Sequence, residues 1–312
     1  MPEVIQEIRK AMMTTSDFSD FSIKKPDQWK EFLHKLREQP NMMKFVRVEV
    51  LPASTDKIPK LGFNGRLFRP KKESETFLDA NQKKAYTEEV EIKTVDIWGE
   101  IAVSYNTLED NIRGQNIKED INKILVEATA RDTADLCING DITSADEYLA
   151  QTDGFLKRAV SHEYDFNNTT CDKSKLANTY RKLPHQYKRN RDMLRFIMSP
   201  SPIFDYQETL TNLATPMGDK AKVENYLPKV MGIGFEEEPM IASYMNGSDE
   251  NSKGLLTFPK NMIVGFHRVI NIVLVDEPRN ERIVFHTSAR LGLNFEEEDA
   301  VVLMNNIKHV AA

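Results

Sequence analysis

Between Leu51 and Glu89 lie about forty residues that cannot build a core, yet they sit between two convincing strands. On the near side Lys44-Phe45-Val46-Arg47-Val48-Glu49-Val50 alternates as a half-buried strand does. On the far side Val95, Ile97, Ile101, Val103 and Tyr105 keep one parity, with Gly99 between them. The stretch between carries Pro52, Pro59 and Pro70, many charges, and scattered apolar residues such as Ile58, Leu61, Phe63, Leu67, Phe68 and Phe77. Structureless loops of this length are uncommon in compact domains and are usually functional or disordered. An isolated two-stranded hairpin is at best marginally stable in water. An ordered arm here is therefore expected to need support from outside its own domain, and a neighbouring copy of the chain is the simplest source. Two legs of about nineteen residues reach roughly 60 Å at most.

The remaining composition bounds the chain class. At 312 residues, 40% hydrophobic and 29% charged, it reads as globular, with one large or two ordinary domains. A formal charge of -6 argues against coating nucleic acid by bulk positive charge. Cys137 and Cys171 are too few for a disulfide framework and suggest a reducing compartment. Residues 1–20 lack the apolar run of a signal peptide, and no stretch has the length of a membrane helix. The expectation is a soluble protein, intracellular when made, with no membrane partner.

Periodicity supplies the elements. A mobile tail is expected over 1–20, with a short helical possibility at its start, then an amphipathic helix from Pro26 to Leu36. The parity change between Val90/Ile92 and Val95/Ile97 predicts a bulge or twist where the arm meets the sheet. After a short element stopped by Gly114, the capping box Asn116-Ile117-Lys118-Glu119 opens a long helix closed by Asn139-Gly140. Ile117, Ile121, Ile124, Leu125 and Ala128 form its apolar stripe. Residues 143–170 read as a polar loop with a turn at Asp153-Gly154. Helices are expected over 174–183, about 202–214 and 218–226, brief strands at 194–198 and 239–242, and a surface loop over 248–253. Residues 269–275 and 283–295 read as strands flanking a turn at Glu277-Pro278-Arg279-Asn280. In the second of these, Ile283, Phe285, Ala289, Leu291, Leu293 and Phe295 share one parity. Strands 44–50, 92–105, 268–276 and 282–295 are expected to form one antiparallel sheet under the long helix. The middle of the chain forms an inserted α/β lobe, so the fold class is α+β.

A catalytic centre is not apparent. His34, His162, His185, His267, His286 and His309 lack metal-site spacing; His267 and His286 could approach across a hairpin, but a structural role fits all six better. Met231-Gly232-Ile233-Gly234-Phe235 is no phosphate loop, and neither a GxSxG elbow nor a placed nucleophilic cysteine occurs. Glu236-Glu237-Glu238 and Glu296-Glu297-Glu298-Asp299 are expected to be solvated, the rival reading being a cation site or a mate for a basic patch. Lys182, Lys188, Arg189, Arg191 and Arg195 form the basic cluster, expected to be a solvated helix end, the rival reading being a contact with nucleic acid or with those acidic runs.

That basic segment is also the most recognisable one. Leu183-Pro184-His185-Gln186-Tyr187-Lys188-Arg189-Asn190, followed by Leu194-Arg195-Phe196-Ile197-Met198-Ser199-Pro200, resembles the middle lobe of tailed-bacteriophage major capsid proteins. Asp132-Thr133-Ala134-Asp135, Ile138-Asn139-Gly140-Asp141 and Asp153-Gly154-Phe155-Leu156 resemble the end of that family's spine helix and the loop after it. Thr215-Pro216-Met217-Gly218-Asp219, Met231-Gly232-Ile233-Gly234, Asn261–Arg268 and Ala300-Val301-Val302 are similar to further stretches in the same order. The likeness spans residues 90 to 308.

The resemblance implies the Hong Kong 97-type capsid fold: an N-terminal arm, an extended loop, a spine helix on an antiparallel peripheral sheet, and an axial lobe. On this sequence the divisions are 1–43 for the arm, 44–138 for peripheral strands and spine helix with the extended loop at 51–89, 139–260 for the axial domain, 261–296 for the peripheral return strands, and 297–312 for a return to the axial domain. It implies a virion shell subunit, assembled in the host bacterial cytoplasm as hexamers and pentamers around double-stranded DNA. A separate scaffolding protein, a portal and a decoration protein are the implied partners; no cofactor, metal or catalytic residue is implied. Phe63, Leu67, Phe68 and Phe77 are the expected anchors of the extended loop on an adjacent subunit. Lys71, Lys72, Lys83, Lys84, Asn305 and Asn306 match no cross-linking motif, so no covalent cross-links are expected. The alternatives are an encapsulin-like compartment of the same fold, which the Leu183–Asn190 string disfavours, and a soluble α/β enzyme with an unrecognised site.

Overall fold

The computed structural model describes residues 41–62, 68, 86–105, 117–211, 229–241 and 251–308. A short helix α1 (Asn41–Phe45) leads into β1 (Arg47–Val50) and then the two legs of a hairpin, β2 (Thr55–Gly62) and β3 (Tyr86–Lys93). β4 (Val95–Ser104) and the long helix α2 (Ile117–Asn139) follow. Next come α3 (Phe155–Arg158), β5 (Glu163–Thr169), α4 (Lys173–Lys182), β6 (Arg195–Met198), α5 (Pro200–Thr211), β7 (Gly234–Glu237) and β8 (Asn251–Thr257). The chain ends on β9 (Met262–Glu277), β10 (Arg282–Phe295) and β11 (Val302–Lys308).

One sheet has the order β1-β9-β10-β4. Its centre is the β9–β10 hairpin, turned by Pro278–Asn280 with Glu281 in the left-handed region at φ 48°. The odd-numbered residues of β10 face inward as the alternation requires: Ile283, Phe285, Ala289, Leu291, Leu293 and Phe295 are all buried. β4 pairs antiparallel to β10 along its length, but β1 pairs with β9 in parallel, Arg47 opposite Ile263. The expected all-antiparallel sheet is corrected on that edge. Alternation marks which face of a strand is buried and carries no information on its direction.

The long helix spans the expected residues. Of its expected stripe, Leu125 is buried, Ala128 half-buried and Ile124 60% exposed, while the side chains of Ile117 and Ile121 lie outside the described residues. Beyond that stripe Ala130, Thr133, Ala134, Leu136, Cys137 and Ile138 are buried. The C-terminal half of the helix is packed into the core, where Ala130 and Ala134 permit close approach. Its buried face shares one core with Ile97 of β4, Phe285 and Ala289 of β10, and Phe155 of α3. Phe155 packs on Phe295 with ring centroids 5.1 Å apart.

A second sheet, β5-β11-β8-β6-β7, has its own core of Phe166, Leu176, Leu194, Phe196, Leu256, Val302 and Ile307. α4 covers it; Asp172 caps that helix by accepting from the Lys173 backbone N–H at 2.6 Å, and Arg181 and Lys182 occupy its last turn. Several sequence expectations are corrected here. The polar 143–170 loop contains α3 and β5, and the 248–253 surface loop runs into β8. The 239–242 strand is a 3-10 turn over Pro239–Ile241, and the first strand begins only at Arg47, because α1 holds Lys44 and Phe45. The helix expected at about 202 starts at Pro200, since proline suits a first turn. The Pro26–Leu36 helix, the 107–114 element and the 218–226 helix lie outside the described residues.

Candidate functional site

The described inner half of the arm is a ladder from Thr55 opposite Lys93 to Gly62 opposite Tyr86. Ion pairs cross the ladder on both faces: Lys57 to Glu89 at 2.6 Å on one, and Lys60 to Glu88 at 3.5 Å on the face that Ile58 turns to the body. Pro59 is tolerated because a two-stranded ribbon is all edge. Thr94 separates β3 from β4 and donates to the Ser54 carbonyl through N–H and Oγ, at 3.0 and 2.7 Å. This break at Thr94 falls where the parity change predicts a bulge or twist.

The arm is seated in a notch made by two glycines. Gly265 and Gly292 lie directly opposite each other on β9 and β10. A Cβ on Gly265 would meet Leu51 Cδ1 at 2.6 Å, and one on Gly292 would meet the Lys93 carbonyl at 2.4 Å and Ile92 Cγ2 at 2.9 Å. The missing side chains admit Leu51 and Ile92, one residue from each leg's root, which are buried with Ile263. The Leu51 N–H donates to the Phe266 carbonyl at 2.9 Å.

Further out, the arm touches its own body again. Asn294 Nδ2 donates to the Glu91 carbonyl at 2.8 Å, and Lys60 Nζ forms an ion pair with Glu297. The other oxygen of Glu297 accepts from the Tyr187 hydroxyl at 2.9 Å. Burial and this bond push the Tyr187 phenol up to about 12. The Glu297 backbone is fixed as well: its N–H donates to Asn261 Oδ1 at 2.7 Å and its carbonyl accepts from Asn261 Nδ2 at 2.8 Å. Lys60, Asn294 and Glu297 line an open groove of about 580 Å³ together with Glu88, Glu91 and Glu296. The expectation that support for the arm must come from outside is thus corrected for its inner half.

The acidic runs are only partly solvated: Glu237, Glu298 and Asp299 are exposed, but several members have partners within the chain. Glu296 pairs with Arg47 at 3.2 Å, and Glu298 accepts from the Val160 N–H at 3.2 Å. Glu238 is 1% exposed, and burial holds its carboxyl above the usual carboxylate range. Glu236 faces Arg195, so part of the basic cluster meets an acidic run within the same chain. Lys188 and Arg191 stack on the Tyr180 ring, 5.3 and 5.2 Å from its centroid.

Of the expected anchors, Phe68 is described and is 89% exposed; Phe63, Leu67 and Phe77 lie outside the described residues, as do Lys71, Lys72, Lys83 and Lys84. Asn305 bonds Glu163, and Asn306 bonds Asp165 at 3.0 Å. His286 sits opposite Val273, away from His267, and bonds Glu100 at 2.9 Å. Among the described residues no group of three or more His, Cys, Asp or Glu side chains is arranged to hold a metal. Burial pushes both cysteine thiols up to about 12, which makes them poor nucleophiles.

With a hairpin arm, a long helix on a sheet and a second sheeted lobe in place, comparison with known proteins decides the family. The phage capsid family profile matches residues 24–306. The chain belongs to the phage capsid family. A Bacillus subtilis (strain 168) relative, the putative prophage capsid protein YqbE, is 30% identical over 305 residues, covering 96% of this chain and 98% of that one. Among solved structures, a satellite phage P4 procapsid that includes the size determination protein superposes with a TM-score of 0.68 at 14% identity, over 90% of this chain and 91% of that one. The holo-SrpI encapsulin of Synechococcus elongatus PCC 7942 gives 0.54 at 11%, over 87% and 90%. The fold of this capsid protein is the α+β Hong Kong 97-type. Family and fold identify a structural component of a virion capsid shell. What sequence reasoning missed was Glu297 as a meeting point and the glycine notch. An in-strand glycine flanked by apolar residues, as in Val264-Gly265-Phe266 and Leu291-Gly292-Leu293, was the available signal.

Proposed function

We propose that this capsid protein assembles with its own copies as hexamers and pentamers into the icosahedral head that encloses packaged double-stranded DNA of a tailed phage. The observation that carries this reading is the arm: its inner legs are bound to the body, yet Phe68, six residues past the end of β2, is 89% exposed. Phe63, Leu67, Phe68 and Phe77 then anchor the outer arm on an adjacent subunit. Trp98, 75% exposed on β4, and exposed Phe204 on α5 offer further apolar surface for burial between copies. Shell interfaces of this kind bury on the order of 2,000–5,000 Å² or more, so many weak contacts add to a closed container. In this reading residues 1–43 are the N-terminal arm, 44–138 and 261–296 the peripheral domain, 139–260 the axial domain and 297–312 its returning strand. A separate scaffolding protein and a portal complete assembly in the bacterial cytoplasm, and a decoration protein is a further candidate partner. The formal charge of -6 suits an inner wall that does not grip its DNA.

Deleting residues 56–88 tests the role of the arm. The deleted subunit should stay soluble and folded by circular dichroism but form no shells by sedimentation and electron microscopy. Normal particles from that variant refute the reading. The encapsulin likeness supports a second reading, a compartment for protein cargo. The contents of purified particles separate the two, DNA for the head and an enzyme for the compartment.

A further inference from the structure

Three described parts of the subunit meet at Glu297: the arm by Lys60, the turn just before β9 by Asn261, and the segment after α4 by Tyr187. We propose that Glu297 is a mechanical joint that fixes the bearing of the arm relative to the axial lobe, so that neither swings without the other. The inference concerns the single subunit and goes beyond the assembly reading, which stands or falls separately.

The geometry has a pivot and a stop. The pivot is the glycine notch, where Leu51 and Ile92 drop between β9 and β10. The stop lies further along the arm. From Thr55 to Lys60 is five residues of strand, about 17 Å at 3.3–3.4 Å per residue. A 1 Å slack in a bond placed about 17 Å from a pivot allows a swing of only roughly 3°, so a contact out on the leg restricts angle far better than one at the root. An exposed ion pair between two free side chains would hold such a lever poorly. This one is built otherwise. The Lys60 and Glu297 side chains are only 21% and 32% exposed. The Glu297 backbone is clamped on both its N–H and its carbonyl by one buried asparagine. Its second carboxylate oxygen is occupied by Tyr187, so turning the carboxylate to follow the arm breaks the bond to the lobe. Glu88 shares Lys60 and keeps the ammonium on the arm when the joint opens.

The test uses the full chain as unassembled subunits isolated by sedimentation. Thr87→Cys on the arm and Lys182→Cys on the lobe, both exposed positions, receive nitroxide labels, while Cys137 and Cys171 are buried and stay unlabelled. Pulsed electron spin resonance then reads the distance distribution. The expected result is a narrow distribution in the labelled parent. It should at least double in width in E297Q and in K60Q, and broaden in Y187F, a change made on the lobe alone. Should E297Q fail to fold, K60Q and Y187F read the same joint from its two sides. Parental width in K60Q or E297Q overturns the proposal. Broadening in those two with parental width in Y187F also overturns it, because the ion pair then acts without the lobe.

Discussion

Adding one methyl group at Gly292 should unseat the root of the arm. The new Cβ would lie 2.4 Å from the Lys93 carbonyl oxygen and 2.9 Å from Ile92 Cγ2, where ordinary contact begins near 3.4 Å. The obstacle is backbone, so β3 must move away by about 1 Å, and overpacking of this kind costs about 1–3 kcal/mol. Lifting Ile92 from its fully buried place exposes on the order of 40 Å² of apolar surface, a further ~1 kcal/mol at about 25 cal/mol per Å². Reduced freedom of the unfolded chain returns about 0.4–1 kcal/mol. The expected net loss is about 1–3 kcal/mol, read as a lower urea midpoint of the isolated subunit with faster amide exchange in β3. Gly265→Ala is the internal comparison. Its Cβ meets only the Leu51 side chain, Cδ1 at 2.6 Å and Cγ at 2.8 Å, which a χ1 change can move where backbone cannot give, so its loss should be smaller. A neutral Gly292→Ala, or a larger loss at Gly265 than at Gly292, refutes the notch as the seat of the arm.

Phe155→Ala removes a fully buried ring that joins α3 to Phe295 of β10 and should cost about 3–5 kcal/mol in urea unfolding; a loss below about 1 kcal/mol contradicts the packing described. Asp141 accepts from the Thr143 hydroxyl and N–H, at 2.6 and 2.8 Å, and from Lys157 at 3.1 Å, and these bonds hold its carboxyl down at about 2. A depressed carboxyl stabilises the fold above the ordinary value near 4, and that contribution is lost as pH falls from about 4 to about 2. The melting-temperature gap between the parent and Asp141→Asn should therefore be open at pH 6 and closed near pH 2; a gap constant across that range rules out the titration of Asp141 as its cause.

Elements with one-sided burial were legible in the sequence. The β10 alternation placed all six inward residues, and the capping box with Asn139-Gly140 bounded α2 to within a residue. Strand direction was not legible, which is why parallel β1 came as a correction. β8 was hidden because its buried positions include Ser252 and Gly254, polar or side-chain-free residues that pack between β11 and β6. Of the candidate site, the arm and its extent could be read from its poverty of apolar residues. Glu297 could not, since a run of four acids looks the same whether it is solvated or whether some of its members have partners. The partners, Lys60, Tyr187 and Asn261, are far from it in sequence, and only the fold brings them together.

Gly265 and Gly292 complete the socket that holds Leu51, yet they are translated 214 and 241 residues after it. At roughly 5–20 residues per second the ribosome needs about ten to fifty seconds to make them. Throughout that interval the newborn limb has nowhere to dock on its own polypeptide. In the assembly proposed above, a nascent subunit would therefore be unable to present a correctly aimed limb to its neighbours until nearly the whole chain has emerged, so the order of synthesis would itself delay premature polymerisation.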